Sequence, residues 1–552
     1  MPSVGLMNQR YSMVYLSEQD EPQRHSLCLR PDCGCQRSYR SYVVHKDCFD
    51  IRANLSPEGA TCEEAWEIGT ILEPWFPPPV QDTIFKPSKA QLEICLPKLQ
   101  DSETKKLVQK LVLLPDELFH MIMWEEAGRS ALGRISLVSQ FNIDLIQRLK
   151  RRDLPAELDF ASAQLCREDF TFLGIRYQPF KNIYQSTDKS VIRFGVDHLG
   201  IRTAEVLDEY PATGRQRRQT CLWYIVEYLS YACTYLKLLQ KGPFLRVSSY
   251  ETERIQMWNV SNPPRRYCSA GRHLTTPRRT RCIDMTALTG LTVFCNTRSI
   301  YGIHGHYQDD ESAISSYLSL YPSFQHTVMW RYLSLRPGEV ITKAWFHEDS
   351  GVGNGITLAI TTSRGRYSFF GGHIELDSYQ ILCDKPLEHL LYDDPAPGAA
   401  ISWFGAVARQ SSSGQTSLSD GPKDDGSDPK LHRTYASLED VIEAEIYRDD
   451  YSACTGVLFR YPDNSSELIG QRRVGLSTTT TTRVDSPTKI HIRTFEFRGQ
   501  DHRDIPYRRQ CVDVQFSPGN GNLLFQEWHS QDMIGRVIWL FTVRKDILKL
   551  EL

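Results

Sequence analysis

At 552 residues the chain exceeds what a single hydrophobic core serves, and length alone predicts roughly three to four domains. Its 64 Lys and Arg stand against 67 Asp and Glu, so a formal charge of −3 provides no global field to draw nucleic acid or a membrane surface. Fifteen cysteines scattered through so large a chain predict reduced thiols and a cytoplasmic or nuclear location rather than a secreted disulfide scaffold.

Residues 1–101 read as a mixed region. The opening MPSVGLMNQRYSMVYLSEQDEPQRHSLC lacks an apolar core segment, which predicts no secretory signal. Cys28, Cys33, Cys35, His45 and Cys48 then fall within 28–50, CLRPDCGCQRSYRSYVVHKDCFD. His45-x-x-Cys48 and the spacing of Cys28 to Cys33 suit a structural zinc on Cys28, Cys33, His45 and Cys48, with Cys35 the spare sulfur. The alternative is a set of reduced cysteines that simply pack inside. No other cofactor is expected. A proline-rich break, PWFPPP at 74–79, follows.

Residues 102–155 carry helical spacing, centred on LVLLPDELFHMIMWEEAGRSALGRISLVSQFN at 111–142. Pro115 suits a first helical turn, and Asp116 and Glu117 place carboxylates at the positive end of the helix dipole. Leu118, Met121 and Ile122 continue the helical spacing until Gly128 breaks it, and Leu132, Ile135, Leu137 and Val138 carry a second helix ending near Phe141. The residue order, LPDEL followed by LGRISLVSQFN, resembles the F-box. The segment HKDCFDI upstream also resembles one in large fungal F-box-type proteins. That resemblance implies docking on the small adaptor of SCF ubiquitin ligases, with the rest of the chain selecting a client. Leu114, Pro115, Leu118 and Ile122 would meet the adaptor or support that face. Leu137, Val138 and Phe141 would form the apolar side of the second helix.

Residues 156–280 read as a mixed helical and linker region, with a helix expected over Cys221–Lys241. The aromatic and charged residues in that run suit a buried helix rather than a membrane span. The basic stretch PPRRYCSAGRHLTTPRR ends this region; Arg265, Arg266, Arg272, Arg278, Arg279 and Arg281 read as a solvated linker, and no nucleic-acid partner is expected. From 281 to 552 the texture is β-rich, with short alternating or β-branched runs between turn residues. RPGEVITKAWFHEDSGVGNGITLAITTSRGRYSFFGGH at 336–373 and GAAISWFGAVA at 398–408 resemble the jacalin-related β-prism. That resemblance implies a sugar-binding loop near the end of the module, a place held here by a polar insertion. The insertion, about 409–430, is expected to be disordered because it has almost no aliphatic residue to bury. TGVLFRYPDNSSELIGQRR at 455–473 reads as a hairpin about Pro462–Ser465, a second, diverged copy of the strand–turn–strand unit.

Three constellations carry residue types that could perform chemistry. His304-Gly-His306 would put two imidazoles on one strand face, but the carboxylates Asp309 and Asp310 fall out of step with a metal motif. GVGNG at 351–355 leads into a strand rather than a helix, which favours a turn over a phosphate cradle. Glu125 and Glu126 form a solvated helix end.

The expectation is therefore a non-catalytic α+β multidomain protein, with a short F-box-like helical module ahead of a β-rich, β-prism-like domain. It would join an unknown protein client to the SCF adaptor, with no membrane partner. The alternative is a lectin-like or incompatibility-type binding protein without a ligase role. Deleting 411–429 should leave the melting temperature nearly unchanged, because a segment without apolar anchors adds little to folded stability. Scanning calorimetry of the deletion variant checks this, and a large drop in melting temperature refutes it.

Overall fold

A computed structural model describes residues 190–213, 222–241, 244–249, 255–271, 278–307, 312–320, 322–325, 327–348, 356–371, 379–395, 399–409, 431–449, 452–473, 480–500, 506–518 and 528–551, with shorter stretches between 13 and 177. The described residues are mostly antiparallel β-strand, with few and short helices. The chain divides into two compact units, one of residues 1–263 and 275–278, the other of residues 264–274 and 279–552. Among the described residues no helix is long and apolar enough to cross a membrane.

The first unit holds β1 (Met13–Ser17), β2 (Ser41–His45), α1 (Ser102–Val112), β3 (Glu157–Leu158), β4 (Phe170–Phe172), β5 (Ile175–Tyr177), β6 (Val191–Val196), β7 (Ile201–Leu207), β8 (Trp223–Tyr228), α2 (Leu229–Tyr235), β9 (Leu236–Lys241), β10 (Phe244–Ser249) and β11 (Gln256–Trp258). The helix expected over Cys221–Lys241 is thus two strands flanking one short helix. The β-branched and aromatic run WYIVEY pairs with β6, Phe194 opposite Ile225, so strand pairing overrides the helical reading. Ile192, Phe194, Ile225, Leu238 and Val247 close the core of this unit.

The second unit contains two β bodies. The first comprises β12 (Cys268–Gly271), β13 (Arg278–Asp284), β14 (Gly290–Cys295), β15 (Ile300–His306), α3 (Ile314–Leu318), α4 (Pro322–Gln325), β16 (Met329–Ser334), β17 (Ile341–Glu348), β18 (Ile356–Thr362), β19 (Tyr367–Phe370), β20 (Gln380–Cys383), β21 (Leu387–Asp393) and β22 (Trp403–Ala408). Its strands form the antiparallel sheets β15-β14-β16 and β19-β18-β17-β20 and the run β12-β22-β21-β13, which belongs to an eight-stranded sheet. Each group has one apolar face, and all three bury it in one shared core that includes Val293, Phe346, Leu358, Leu390 and Phe404.

The second body repeats this solution with β23 (His432–Ser437), β24 (Glu443–Arg448), β25 (Cys454–Arg460), β26 (Ser466–Gly470), β27 (Thr480–Asp485), β28 (Pro487–Gln500), β29 (Pro506–Pro518), β30 (His529–Asp532), β31 (Arg536–Phe541) and β32 (Asp546–Glu551). Its sheets run β23-β31-β32, β26-β25-β24-β27 and β29-β28-β30 around Ile446, Phe459, Ile490, Val514 and Trp539. The four-stranded sheets of the two bodies share one strand order, third-second-first-fourth. The hairpin expected about Pro462–Ser465 is β25–β26, which holds the place that β18–β19 holds in the first body. The insertion at 410–430 lies outside the described residues, between β22 and β23.

Both hairpins close on a glycine in the left-handed region, Gly371 at φ 94° and Gly470 at φ 75°. A Cβ on Gly371 would stand 2.2 Å from the Ile356 carbonyl oxygen, and one on Gly470 would stand 2.5 Å from that of Thr455. Backbone cannot yield as a side-chain tip can. Gly371→Ala and Gly470→Ala should each destabilise the second unit by about 1–3 kcal/mol, measured by denaturant unfolding. Unchanged midpoints would refute the shared constraint.

Candidate functional site

The segment following α1 bears the sequence-level docking assignment. Leu113 N–H donates to the Gln109 carbonyl at 3.3 Å and Leu114 N–H to Leu111 at 3.2 Å, so the helix closes on these two leucines. Phe119 N–H then donates to the Pro115 carbonyl at 3.0 Å, the first turn that Pro115 was expected to open. Phe119 is buried with Leu92 and Val108, and half-buried Leu114 packs against the three. Lys89 staples the turn: its ammonium donates to the Leu114 carbonyl, pairs with Asp116 at 2.6 Å and lies 5.8 Å from the Phe119 ring centre.

That packing divides the expected docking residues. Leu114 supports the turn from within, while Pro115 is exposed and Leu118 is 47% exposed. Sequence reasoning passed over Leu107 and Leu113, which are 53% and 83% exposed. It also passed over Phe119 as the anchor, which lies one turn on from Pro115. Ile122, Leu137, Val138 and Phe141 lie outside the described residues.

Of the four expected zinc ligands, Cys28, Cys33 and Cys48 lie outside the described residues, as does the side chain of His45, whose backbone ends β2 opposite Met13. Among the described residues no group of three or more His, Cys, Asp or Glu converges as a metal site. His304 and His306 do share a strand face, their ring centres 4.7 Å apart. Each is engaged by a hydroxyl, His304 Nδ1 with Ser316 at 2.8 Å and His306 Nε2 with Thr292 at 2.7 Å. Tyr332 stacks edge-on to His306 at 5.2 Å, and the Arg472 guanidinium lies 4.8 Å from the Tyr332 ring centre. This row of buried rings and charges is a packed network between the two β bodies. The segment GVGNG at 351–355 lies outside the described residues; the residues that follow it form β18.

The basic stretch is less free than its sequence suggests. Arg279 and Arg281 both converge on Asp394, at 3.1 and 2.5 Å, through the pairing of β13 with β21. An acid far along the chain therefore pairs with two of the six arginines in what reads locally as an uninterrupted cationic run.

Glu227 on β8 is a perturbed carboxyl of the first unit: burial in the sheet pushes it up to about 7. The charged form is disfavoured only in the folded chain. Its contribution is therefore fully present below the unfolded carboxyl range and is lost as pH rises through about 7. Glu227→Gln should abolish that decline and stabilise the protein at pH 8 by about 1–3 kcal/mol, allowing for its partial exposure. Urea melts from pH 5 to pH 8 test this; parallel curves for variant and parent would refute it.

No family model matches the chain, and no curated protein matches it. Among solved structures it is similar to a prostate-specific WGA16 glycoprotein lectin, at 17% identity and a TM-score of 0.18, over 25% of this chain and 96% of that one. It is also similar to a lamprey immune protein, at 10% identity and a TM-score of 0.17, over 48% of this chain and 97% of that one.

Proposed function

We propose that the chain is a substrate-recognition subunit of an SCF-type ubiquitin ligase, non-catalytic itself, docking on the adaptor through the turn at 107–118 and on a protein client through its β-rich unit. The observation that supports the first half is the exposure of Leu107, Leu113 and Leu118 along the segment that contains Pro115, while Leu92, Val108 and Phe119 are buried in one cluster. Apolar side chains held on a preformed turn are what a helix-groove partner requires, since the turn's ordering cost is already met. The β-rich unit supports the second half: in this reading its first body is a β-prism-like module, whose three sheets close on one core and carry loops at both ends.

A second reading, a lectin-like binding protein, draws on the same three-sheet architecture. One observation counts against a sugar site after β21. Asp393 accepts the backbone N–H groups of Ser402 and Trp403, both at 2.8 Å, and the Ser402 hydroxyl at 2.7 Å. Asp394 is held by Arg279 and Arg281, so both carboxylates there serve the fold.

Leu113→Ser with Leu118→Ser should cost roughly 2–4 kcal/mol of adaptor binding, enough to lose a pull-down with purified adaptor, and leave the melting temperature unchanged. Phe119→Ala, which empties the supporting cluster, should lower both. Adaptor capture that survives the double leucine change would sink the docking assignment. Glycan binding without adaptor binding would favour the lectin-like reading.

A further inference from the structure

One end of the second β body gathers features that its own fold leaves unused. The chain turns there four times, at 438–442, 461–465, 485–487 and 532–535. Backbone bonds knit three of these turns together: Leu438 N–H to the Gly535 carbonyl at 2.9 Å, Ser486 N–H to Ile442 at 2.8 Å, and Met533 N–H to Thr488 at 3.1 Å. Asp440, Asn464 and Ser486 sit at φ 57°, 59° and 45°, and they are three of the four non-glycine residues in the left-handed region among the described residues. Such positions persist only where the surroundings hold them, so this end is a shaped surface rather than slack loop.

On that surface Ile442 and Ile534 stand 46% and 55% exposed. Around them Glu439, Asp440 and Asp485 are exposed, and none has an ion pair among the described residues. The cations of this end are already engaged: Lys489 faces Asp532 at 3.9 Å, Arg536 holds Glu551 at 2.6 Å, and Arg336 reaches Asp463 at 3.2 Å from the first body. The exposed surplus is negative, and it lies on the same turns as the two isoleucines or next to them. Those carboxylates do not converge as a metal site.

We infer that this end is a docking face for a protein segment in which apolar side chains are flanked by lysine or arginine. Ile442 and Ile534 cover the apolar anchors, while Glu439, Asp440 and Asp485 set orientation and speed encounter. The inference rests on the reading of the β-rich unit as client-binding and names the chemistry of that client.

The test uses the full chain and a short fluorescein-labelled peptide carrying two central leucines with lysines on both sides, read by fluorescence anisotropy. Two control peptides replace the lysines by glutamate or the leucines by serine. The parent chain should bind the first peptide and neither control. Ile442→Ser with Ile534→Ser should weaken binding about tenfold or more, with the melting temperature unchanged because both side chains are exposed. Asp440→Asn with Asp485→Asn should weaken it less and flatten its salt dependence. Equal binding by parent and variants, or no binding by the parent, overturns the assignment. So does a concentration-dependent dimer in sedimentation that the isoleucine variant abolishes, since the occupant would then be a second copy. Adaptor pull-down is run on the same variants. Its retention with peptide binding lost confines the effect to this face, and its survival in the Leu113→Ser, Leu118→Ser variant would fault the adaptor reading and not this one.

Discussion

Every sheet in the second unit has the same problem: one apolar face that water will not tolerate. Strand alternation creates that face, as in β24, where Ala444 and Ile446 enter the core while Glu443 and the buried Glu445 lie on the opposite face. Three such faces closing on one another remove the need for helices to cover them. The bodies that result are held by strand pairing and by the cores those faces enclose, and their loops gather at the two ends of the strands. The proposed client recognition follows from that arrangement.

The two bodies also need a joint, and β16 makes it. Met329 enters the second core, Trp330 N–H donates to the Gln471 side-chain oxygen at 3.1 Å, and the Ser334 hydroxyl donates to the Ser466 carbonyl at 2.6 Å. Arg331 is the most costly part. Its buried guanidinium donates to the Arg433 carbonyl at 3.0 Å and lies 5.8 and 5.5 Å from the ring centres of Phe370 and Phe541. Burial pushes its pKa down, which marks the cost of keeping a cation there. Ring faces from both bodies offset part of it.

The β-rich texture was legible because alternation is a local signal, and the hairpins at 356–370 and 455–470 both lie where turn residues placed them. Cys221–Lys241 was misread because an apolar, aromatic run has no periodicity that separates a buried strand from a buried helix. The joint was not legible at all. Arg331 meets Arg433 and Phe541 across more than a hundred residues of chain, and nothing near Arg331 in sequence announces them. The cationic stretch near Arg279 misled for the same reason, since Asp394 arrives only through strand pairing. In the docking turn, Pro115 and its helical start were readable, but which leucine supports and which is exposed depends on Lys89 and Leu92 upstream.

The joint at β16 also separates covalent from physical continuity. The polypeptide passes from the first body to the second through residues 409–431, yet the bodies meet through Met329, Trp330, Arg331 and Ser334, well before that passage. A protease that cuts the passage severs the backbone and leaves the seam untouched. The nicked protein would run as two fragments once denatured and as one particle in native buffer. Its two pieces, made separately, would be partners for each other.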